Sequence, residues 1–220
     1  MYWKDEGFLL SKSNFDENSI IIQAFTLNHG KYTGIVYGGS SRKQKKFYQI
    51  GNKIMLNWKS KNETSLGYIQ AEIMQPVIPL YFENKKRSIC LLAASSILKI
   101  LLPERQINKK IYHSFDSFIN QLKLNDWIKL YILWELSLIN ELGFEVNLKN
   151  TESSNIDKYI VINNKSFKVP KFLLDKKMKV SKSEIREALI FNKNLLMENF
   201  ILPNNLRLPF SRNILEKYYN

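Results

Sequence analysis

The stretch SIIIQAFTLNHGKYTGIVY, residues 19–37, contains two runs that are rich in β-branched and aromatic residues. The first run is SIIIQAFT and the second is TGIVY, and between them His29 and Gly30 are typical of a turn. Similar runs surround this stretch: GFLLS precedes it, and KIMLNW and LGYIQAEIM follow it. The first eighty residues therefore predict five short β-strands, separated by Asn, Gly and Ser clusters.

The pattern changes after Asn84, where apolar residues with helical spacing replace the alternation. Three segments with few glycines predict three helices: RSICLLAASSILKILL, IYHSFDSFINQL and DWIKLYILWELSLINELGF. Asp126 precedes the third helix, where we expect its side chain to cap the exposed amides. Gly143 follows that helix and predicts a left-handed stop.

The remaining sequence predicts a hairpin and one more helix. The segment KYIVINNKSFKVP has two short runs around Asn163 and Asn164, which is typical of a β-hairpin. We expect the last helix to extend from about Ser183 to Phe200, with Ser181 or Ser183 as its N-cap and Pro203 beyond its end.

Five strands followed by helices indicate an α+β protein with a small closed barrel at its amino terminus. The OB-fold is such a barrel and often holds single strands of nucleic acid, although an SH3-like barrel has a similar number of strands. We expect an OB-fold domain over residues 1–80. A helical domain is expected over residues 81–220, with the hairpin inserted near residues 158–169.

The charge of the chain favours a polyanionic partner. The 33 Lys and Arg residues outnumber the 20 Asp and Glu residues, which gives a net charge of +13. Such a balance is typical of proteins that bind nucleic acid or an anionic membrane surface. The most apolar run, residues 89–102, is interrupted by Lys99 and is shorter than the roughly 20 residues of a membrane span. We therefore expect no membrane insertion.

Cysteine content and the amino terminus indicate a cytoplasmic protein. Charged residues at positions 4–6 interrupt the amino terminus, so no signal peptide is expected. The one cysteine, Cys90, excludes an internal disulfide framework, and its apolar neighbours predict that it is buried.

A basic stretch without acidic residues extends from Lys31 to Asn62. Cations there can neutralise phosphates, and aromatic faces stack bases for about 1–3 kcal/mol each. Alternation places Trp58 on the same side as apolar neighbours and predicts it in the core, which leaves Tyr37 and Tyr48 as stacking candidates. The candidate phosphate contacts are Lys31, Arg42, Lys43, Lys45, Lys46, Lys53, Lys59 and Lys61. A merely solvated surface is the alternative interpretation.

The sequence contains few residues that are typical of a catalytic site. The two histidines, His29 and His113, are far apart in sequence, and no phosphate-binding glycine loop or nucleophile motif occurs. Glu135 and Glu141 are expected to solvate the polar side of their helix or to pair with Lys129 and Arg105. The acid pairs at positions 5–6 and 16–17 are interpreted as turn residues before strands, which disfavours a metal nuclease.

Several of these segments together resemble the RecO family of bacterial recombination mediators. The segments occur in the family's order and at similar spacing: DEGFLLS, ENSIIIQAFTLNHGKYTGIVYGG, SSRKQKKFYQIGNKIMLNW, LLPER and WELSLINELGFEVNL. The resemblance covers residues 3–148 well and the rest loosely. It implies an amino-terminal OB-fold followed by a helical domain, with no enzymatic activity and no cofactor.

The resemblance also implies partners. Family members bind single- and double-stranded DNA, anneal complementary strands, contact the single-stranded DNA-binding protein SSB and the protein RecR, and help to load RecA. It therefore implies a nucleoid-associated protein of DNA repair and homologous recombination, whose basic stretch meets the DNA backbone.

The chain departs from many members of this family, which carry a four-cysteine zinc module after the third helix. The corresponding segment here, NTESSNIDKYIVINNKSFKVP, has no Cys or His, and structural zinc requires four such ligands. We expect no zinc. The hairpin is instead expected to be held by packing of Tyr159, Val161, Phe167 and Val169.

The resemblance further implies a dock for the acidic tail of SSB, which ends in phenylalanine. Such a tail needs an apolar groove and a cationic rim. Leu130, Leu133, Trp134 and Leu138 fall on one stripe of the third helix. The candidate contacts are Trp134 with the cations Lys123, Lys129 and Arg105. A Leu and Trp stripe is also typical of a helix core, so only its edge would reach a peptide.

Two other functions stay open on the residues alone. An RNA-binding OB-fold factor would use the same cations and rings, because only a contact to the 2′-hydroxyl distinguishes RNA from DNA. A scaffold whose basic surface docks an acidic protein tail would also fit.

Overall fold

The computed structural model describes residues 1–42, 44, 47–62, 65–144, 146, 158–174 and 180–219. The chain divides into two compact units, residues 1–113 and 114–220. None of the helices in these described ranges combines the length and apolar character required to cross a bilayer.

The first unit contains a closed five-stranded barrel. Its strands are β1 (Tyr2–Asn14), β2 (Ser19–Thr26), β3 (Gly30–Tyr37), β4 (Lys53–Lys59) and β5 (Tyr68–Gln75). Their order around the barrel is β1-β2-β3-β5-β4, with β4 pairing back onto β1. This order and the helices that follow confirm the OB-fold prediction and exclude the SH3-like alternative.

Strand β1 closes the barrel because it pairs with β2, its neighbour in the chain, and also with β4 at the other end of the strand order. Its first half pairs with β4 and its second half with β2, and Gly7 takes part in both ladders. A β-bulge at Leu10 shifts the register of the second ladder. A Cβ atom on Gly7 would lie 2.8 Å from the Phe25 carbonyl oxygen, so the crossing point requires glycine.

The barrel core consists of the inward-facing side chains of all five strands, as the alternation in the sequence predicts. Trp58 is fully buried among them, which confirms its assignment to the core. The buried members are Leu9, Ile20, Ile22, Ala24, Val36, Tyr48, Ile54, Leu56, Trp58 and Ile69.

Helical segments complete the first unit. A short 3-10 turn, Ile78–Tyr81, precedes helix α1 (Lys85–Leu101), which packs against β1. Helix α2 (Lys109–Gln121) begins in the first unit and ends in the second. Cys90 is buried on α1, as predicted.

The second unit contains the remaining helices and a hairpin. The helices are α3 (Trp127–Glu141), α4 (Lys171–Leu174), α5 (Lys182–Leu196) with a π-helical extension (Met197–Ile201), and α6 (Phe210–Lys217). The hairpin strands are β6 (Tyr159–Ile162) and β7 (Lys165–Lys168). Helix α3 packs against α5.

The helix ends follow the sequence in two cases and differ in one. Ser181 caps α5 in a reciprocal capping box with Glu184, and Gly143 has a left-handed φ of +100° after α3. Asp126 is the N-cap residue of α3, but its side chain makes no capping bond, so that expectation was wrong. Its ψ of 21° is not the extended conformation that directs a side-chain oxygen to the amides.

The hairpin turns at Asn163 and Asn164, both with positive φ, as the sequence predicts. The prediction of which side chains hold the hairpin by packing is only partly correct. Val169 is buried, but Tyr159 and Val161 are exposed. Tyr159 and Val161 share one strand face because they are two residues apart, and that face points to solvent.

A buried ion pair connects α3 with α6. Both carboxylate oxygens of Glu135 accept bonds from Arg212, from Nε at 2.6 Å and from Nη2 at 3.0 Å. Tyr131 and Asn192 donate further bonds to the same carboxylate, at 2.8 and 3.2 Å. The expectation that Glu135 solvates its helix or pairs with Lys129 or Arg105 was therefore wrong, because its side chain is 0% exposed.

The charge on Arg212 is maintained by this partner. Burial opposes a charge on the guanidinium, but the adjacent Glu135 carboxylate raises the pKa of Arg212 above its ordinary value. Arg212 also donates to the Leu189 carbonyl at 2.6 Å. The pair therefore joins α3, α5 and α6 at one point.

We expect Arg212→Met to destabilise the protein by about 3–5 kcal/mol, because it leaves the Glu135 carboxylate buried without its cation. The double variant Arg212→Met, Glu135→Leu should recover part of that loss, since it removes both charges. Urea unfolding of wild type, both single variants and the double variant measures the coupling. Additive losses in the double variant would contradict this account of the pair.

Candidate nucleic-acid interface

Four side chains form a row across the outer face of the barrel. Tyr2 lies opposite Lys59 in the ladder between β1 and β4, and Lys59 lies opposite Tyr68 in the ladder between β4 and β5. Directly opposite residues in antiparallel strands share one face of the sheet, and here that face points away from the core. Tyr37 extends the row from the end of β3. We call Tyr2, Lys59, Tyr68 and Tyr37 the tyrosine row.

The rings of Tyr37 and Tyr68 are stacked on each other. Their centroids are 5.0 Å apart and their planes differ by 24°. A hydrogen bond between the two side chains raises the pKa of the Tyr37 hydroxyl. The two side chains are 66% and 45% exposed, so this stack offers ring surface to solvent. Tyr2 is also exposed, and its hydroxyl donates to Asn57 Oδ1 at 3.2 Å.

The tyrosine row borders a groove of about 690 Å³. The amide side chains of Gln44, Asn57 and Gln70 line this groove together with the row. Asn57 and Gln70 are directly opposite each other in the β4–β5 ladder, two pairs along from Lys59 and Tyr68 and therefore on the same face. The groove therefore combines rings for stacking, a cation for a phosphate and amides for hydrogen bonds.

Two of the predicted phosphate contacts are engaged within the protein. Lys31 is 7% exposed, and its Nζ donates to the Lys99 carbonyl at 2.7 Å. This burial lowers the pKa of Lys31, and the expectation of a surface cation there was wrong. Lys53 is half-buried and forms an ion pair with Glu6 at 3.1 Å.

The other predicted cations are either exposed or outside the described residues. Arg42, Lys59 and Lys61 are exposed. Only Lys59 lines the groove. Lys43, Lys45 and Lys46 lie outside the described residues.

The stacking candidates separate into one exposed and one buried ring. Tyr37 is exposed, but Tyr48 is 4% exposed and packs in the barrel core, so the expectation of an open Tyr48 ring was wrong. Tyr48 follows the basic loop and precedes β4, where strand alternation gives no guide to its direction. Its neighbour Phe47 is exposed instead.

The sequence reasoning missed Tyr2, Tyr68, Asn57 and Gln70. A signal for three of them was present in the alternation of KIMLNW and LGYIQAEIM. Because Trp58 and Ile69 face inward, the flanking positions Asn57, Tyr68 and Gln70 had to face outward.

The residues suggested for a peptide dock lie in different units. Arg105 belongs to the first unit, and Lys123, Lys129 and Trp134 belong to the second. Lys123 is exposed and Lys129 is half-buried. Trp134 is 5% exposed and stacks on Phe118 at 5.1 Å, so its ring is part of the helix core. Leu130 and Leu133, on the same helix, are half-buried.

Of the two acid pairs that the sequence predicts in turns, only the pair at positions 16–17 lies in one. Asp16 accepts from the backbone amides of Asn18 and Ser19 at 2.8 and 2.6 Å, as a turn residue does. Asp5 instead lies within β1, is buried and bonds His29, so its assignment to a turn was wrong. Among the described residues, no three His, Cys, Asp or Glu side chains cluster as a metal site would require.

The sequence matches two family models from one family. Residues 1–77 match the model described as Recombination protein O N terminal, and residues 83–158 match Recombination protein O C terminal. The first match covers the whole barrel, and the second begins just before α1.

Proteins that are similar to this chain are described as DNA repair protein RecO. It is 33% identical over 150 residues to the DNA repair protein RecO of Wolbachia pipientis subsp. Culex pipiens, an alignment that covers 67% of this chain and 61% of that protein. The chain thus spans about three fifths of the length of this relative. It is 26% identical to the DNA repair protein RecO of Rickettsia africae over 99% of this chain and 98% of that protein. With both halves of the family matched in order, the chain belongs to the RecO family of DNA repair proteins.

Proposed function

We propose that this protein binds single- and double-stranded DNA through the tyrosine row and anneals complementary strands. The observation that carries the proposal is the alternation of exposed rings with Lys59 across one barrel face. Stacking on exposed rings does not depend on base identity, and cations bind the backbone of any sequence. A mediator that meets arbitrary damaged sequences requires this kind of contact.

We further propose a mediator role without catalysis of a covalent reaction. The protein would help to load RecA onto strands that SSB covers, with RecR as a partner. The family membership and the net charge of +13 support a role on DNA.

The dock for the SSB tail is proposed at the edge of α3, within the second unit. Lys123 and Lys129 would contact the carboxylates of the tail, and half-buried Leu130 and Leu133 would contact its aromatic end. Trp134 would support this edge from the core rather than touch the peptide.

Salt dependence tests the phosphate contacts. The logarithm of the affinity for single strands should fall with the logarithm of salt concentration, with a slope of about −0.7 for each phosphate contact. We expect Lys59→Glu to weaken binding to every sequence and to flatten the slope by about 0.7. Reversing Arg42, Lys43, Lys45 and Lys46 together should flatten it further. Lys85→Glu, an exposed lysine at the start of α1, is the control. Equal slopes for Lys59→Glu and wild type would remove Lys59 from the interface.

Ring removal tests the stacking contacts. We expect Tyr37→Ala and Tyr68→Ala each to weaken single-strand binding by about fivefold or more, and duplex binding less, because only unpaired bases can stack on an exposed ring. Tyr159→Ala removes an exposed ring from the hairpin and is the matched control. Fluorescence anisotropy with both DNA forms measures the difference, and equal losses on the two forms would contradict stacking. Matched RNA oligomers in the same titration test the alternative of an RNA-binding factor.

Annealing of SSB-coated complementary strands tests the mediator role. Wild type should accelerate annealing of both bare and coated strands, whereas a plain RNA binder or docking scaffold should accelerate neither. A Lys123→Glu, Lys129→Glu variant should match wild type on bare strands and lose its advantage on coated ones. Strands coated with SSB that lacks its acidic tail are the control, since wild type and variant should then perform alike. A variant that matches wild type on strands coated with intact SSB would place the dock elsewhere.

A further inference from the structure

A second cavity opens at one end of the barrel, and Tyr2 is the one member of the tyrosine row that lines it. Its volume is about 590 Å³. Rings dominate its lining, together with one guanidinium group, and all of its residues belong to the first unit. We call the set Trp3, His29, Tyr32, Trp58 and Arg105 the ring pocket.

Three rings of this pocket are parallel to one another, and the fourth is nearly perpendicular to them. Trp3 stacks on His29 with 4.1 Å between centroids and 8° between planes, and on Trp58 at 5.5 Å and 16°. Tyr32 meets Trp3 and Trp58 edge-on, at 4.8 and 5.2 Å. Trp3, His29 and Tyr32 are half-buried, so their remaining ring surface lines the cavity. Trp3 is already stacked on His29 and Trp58, so a flat aromatic ligand would stack on the ring surface that faces the cavity.

Asp5 fixes the orientation of the His29 ring. The carboxylate lies 2.9 Å from His29 Nδ1 and accepts from the Asn28 amide at 2.7 Å. The Asp5 carboxylate is placed to accept a hydrogen bond from Nδ1 of the ring. Asp5 is buried within β1, so it holds the imidazole parallel to Trp3 from a rigid strand.

Arg105 is held at the mouth of the pocket in a costly backbone conformation. Its φ is +61°, in the left-handed region that residues with a side chain seldom occupy. The Arg105 amide donates to the Lys31 carbonyl at 2.8 Å, which fixes the segment against β3. The guanidinium lies over Tyr32, 5.3 Å from the ring centroid. Strain of this kind persists where the surroundings impose it, and it is concentrated at binding sites.

The indole of Trp3 contributes a polar group that is not satisfied within the described structure. Its Nε1 is buried and has no acceptor among the described residues. Buried donors without a partner are uncommon, because the loss of hydration is not offset.

We propose that the ring pocket holds one unstacked base of a DNA single strand whose backbone follows the tyrosine row. This inference rests on the proposed function, and it assigns the pocket a role that phosphate contacts alone do not need. Tyr2 lines both the groove and the ring pocket, so the two are continuous across one residue. The base would stack on the ring surface that faces the cavity, and Arg105 would donate to its carbonyl oxygens. A base held in this way is removed from its neighbours in the strand.

Two oligomers of equal length test the pocket: one of thymidines, and one with the same backbone but no bases. Wild type should bind the thymidine oligomer more tightly. We expect Arg105→Ala and Tyr32→Leu each to weaken thymidine binding by about fivefold to tenfold, while binding to the baseless oligomer changes less than twofold. Arg207→Ala removes an exposed arginine of the second unit and is the control for charge. Melting temperatures identify any variant that is misfolded, and Arg105→Ala changes an exposed side chain and so keeps the test valid if Tyr32→Leu misfolds.

The outcomes separate the pocket from the proposed function. If the variants weaken both oligomers by the same factor, or neither, the pocket does not hold a base, although DNA binding by the row would stand. Full displacement of the thymidine oligomer by thymidine monophosphate at equal concentration would overturn a strand as the occupant. If wild type binds neither oligomer, the proposed function fails together with this inference.

Discussion

The pairing of one strand with two neighbours determines the first unit. Strand β1 is long enough to complete one ladder with β4 and another with β2, and Gly7 belongs to both. Because β4 pairs back onto β1 and β3 pairs with β5, every strand has two neighbours and the sheet closes into a barrel without a free edge. The same strand directs Tyr2 to the outer face and Trp3 into the barrel end. A side chain at position 7 would collide with the Phe25 carbonyl, and both surfaces depend on that crossing.

The positive charge of the chain is divided between structure and surface. Lys31, Lys53 and Arg212 are among the cations that the protein uses internally, each with a carboxylate or carbonyl partner. Exposed cations such as Lys59 keep their hydration until a partner arrives, so an anion can exchange with water there at little cost. Counting charges along the sequence therefore overestimates the interface, since burial decides which of them can meet a phosphate.

The fold was readable from the sequence because strand alternation and helix spacing are local signals. The five barrel strands, the hairpin at Asn163 and the Ser181 cap all follow from residues within one element. The site was less readable, because its parts come together through pairing between strands. Tyr2 and Tyr68 both flank Lys59 although they are 66 residues apart in the chain, and only the register reveals it. Lys31 and Tyr48 were misjudged for the complementary reason: their burial depends on distant segments that local patterns do not describe.

The buried bond between Glu135 and Arg212 has a consequence for how the chain is made. The chain emerges from the ribosome with its amino terminus first, and domains generally fold as units in the order in which they emerge. All five barrel strands precede residue 76, so the barrel can form while the rest of the chain is still being translated. Helix α3 cannot bury Glu135 with its cation until residue 212, 77 positions later, has left the exit tunnel. During that interval a nascent chain exposes the apolar face of α3, and it is then that a chaperone would be most needed.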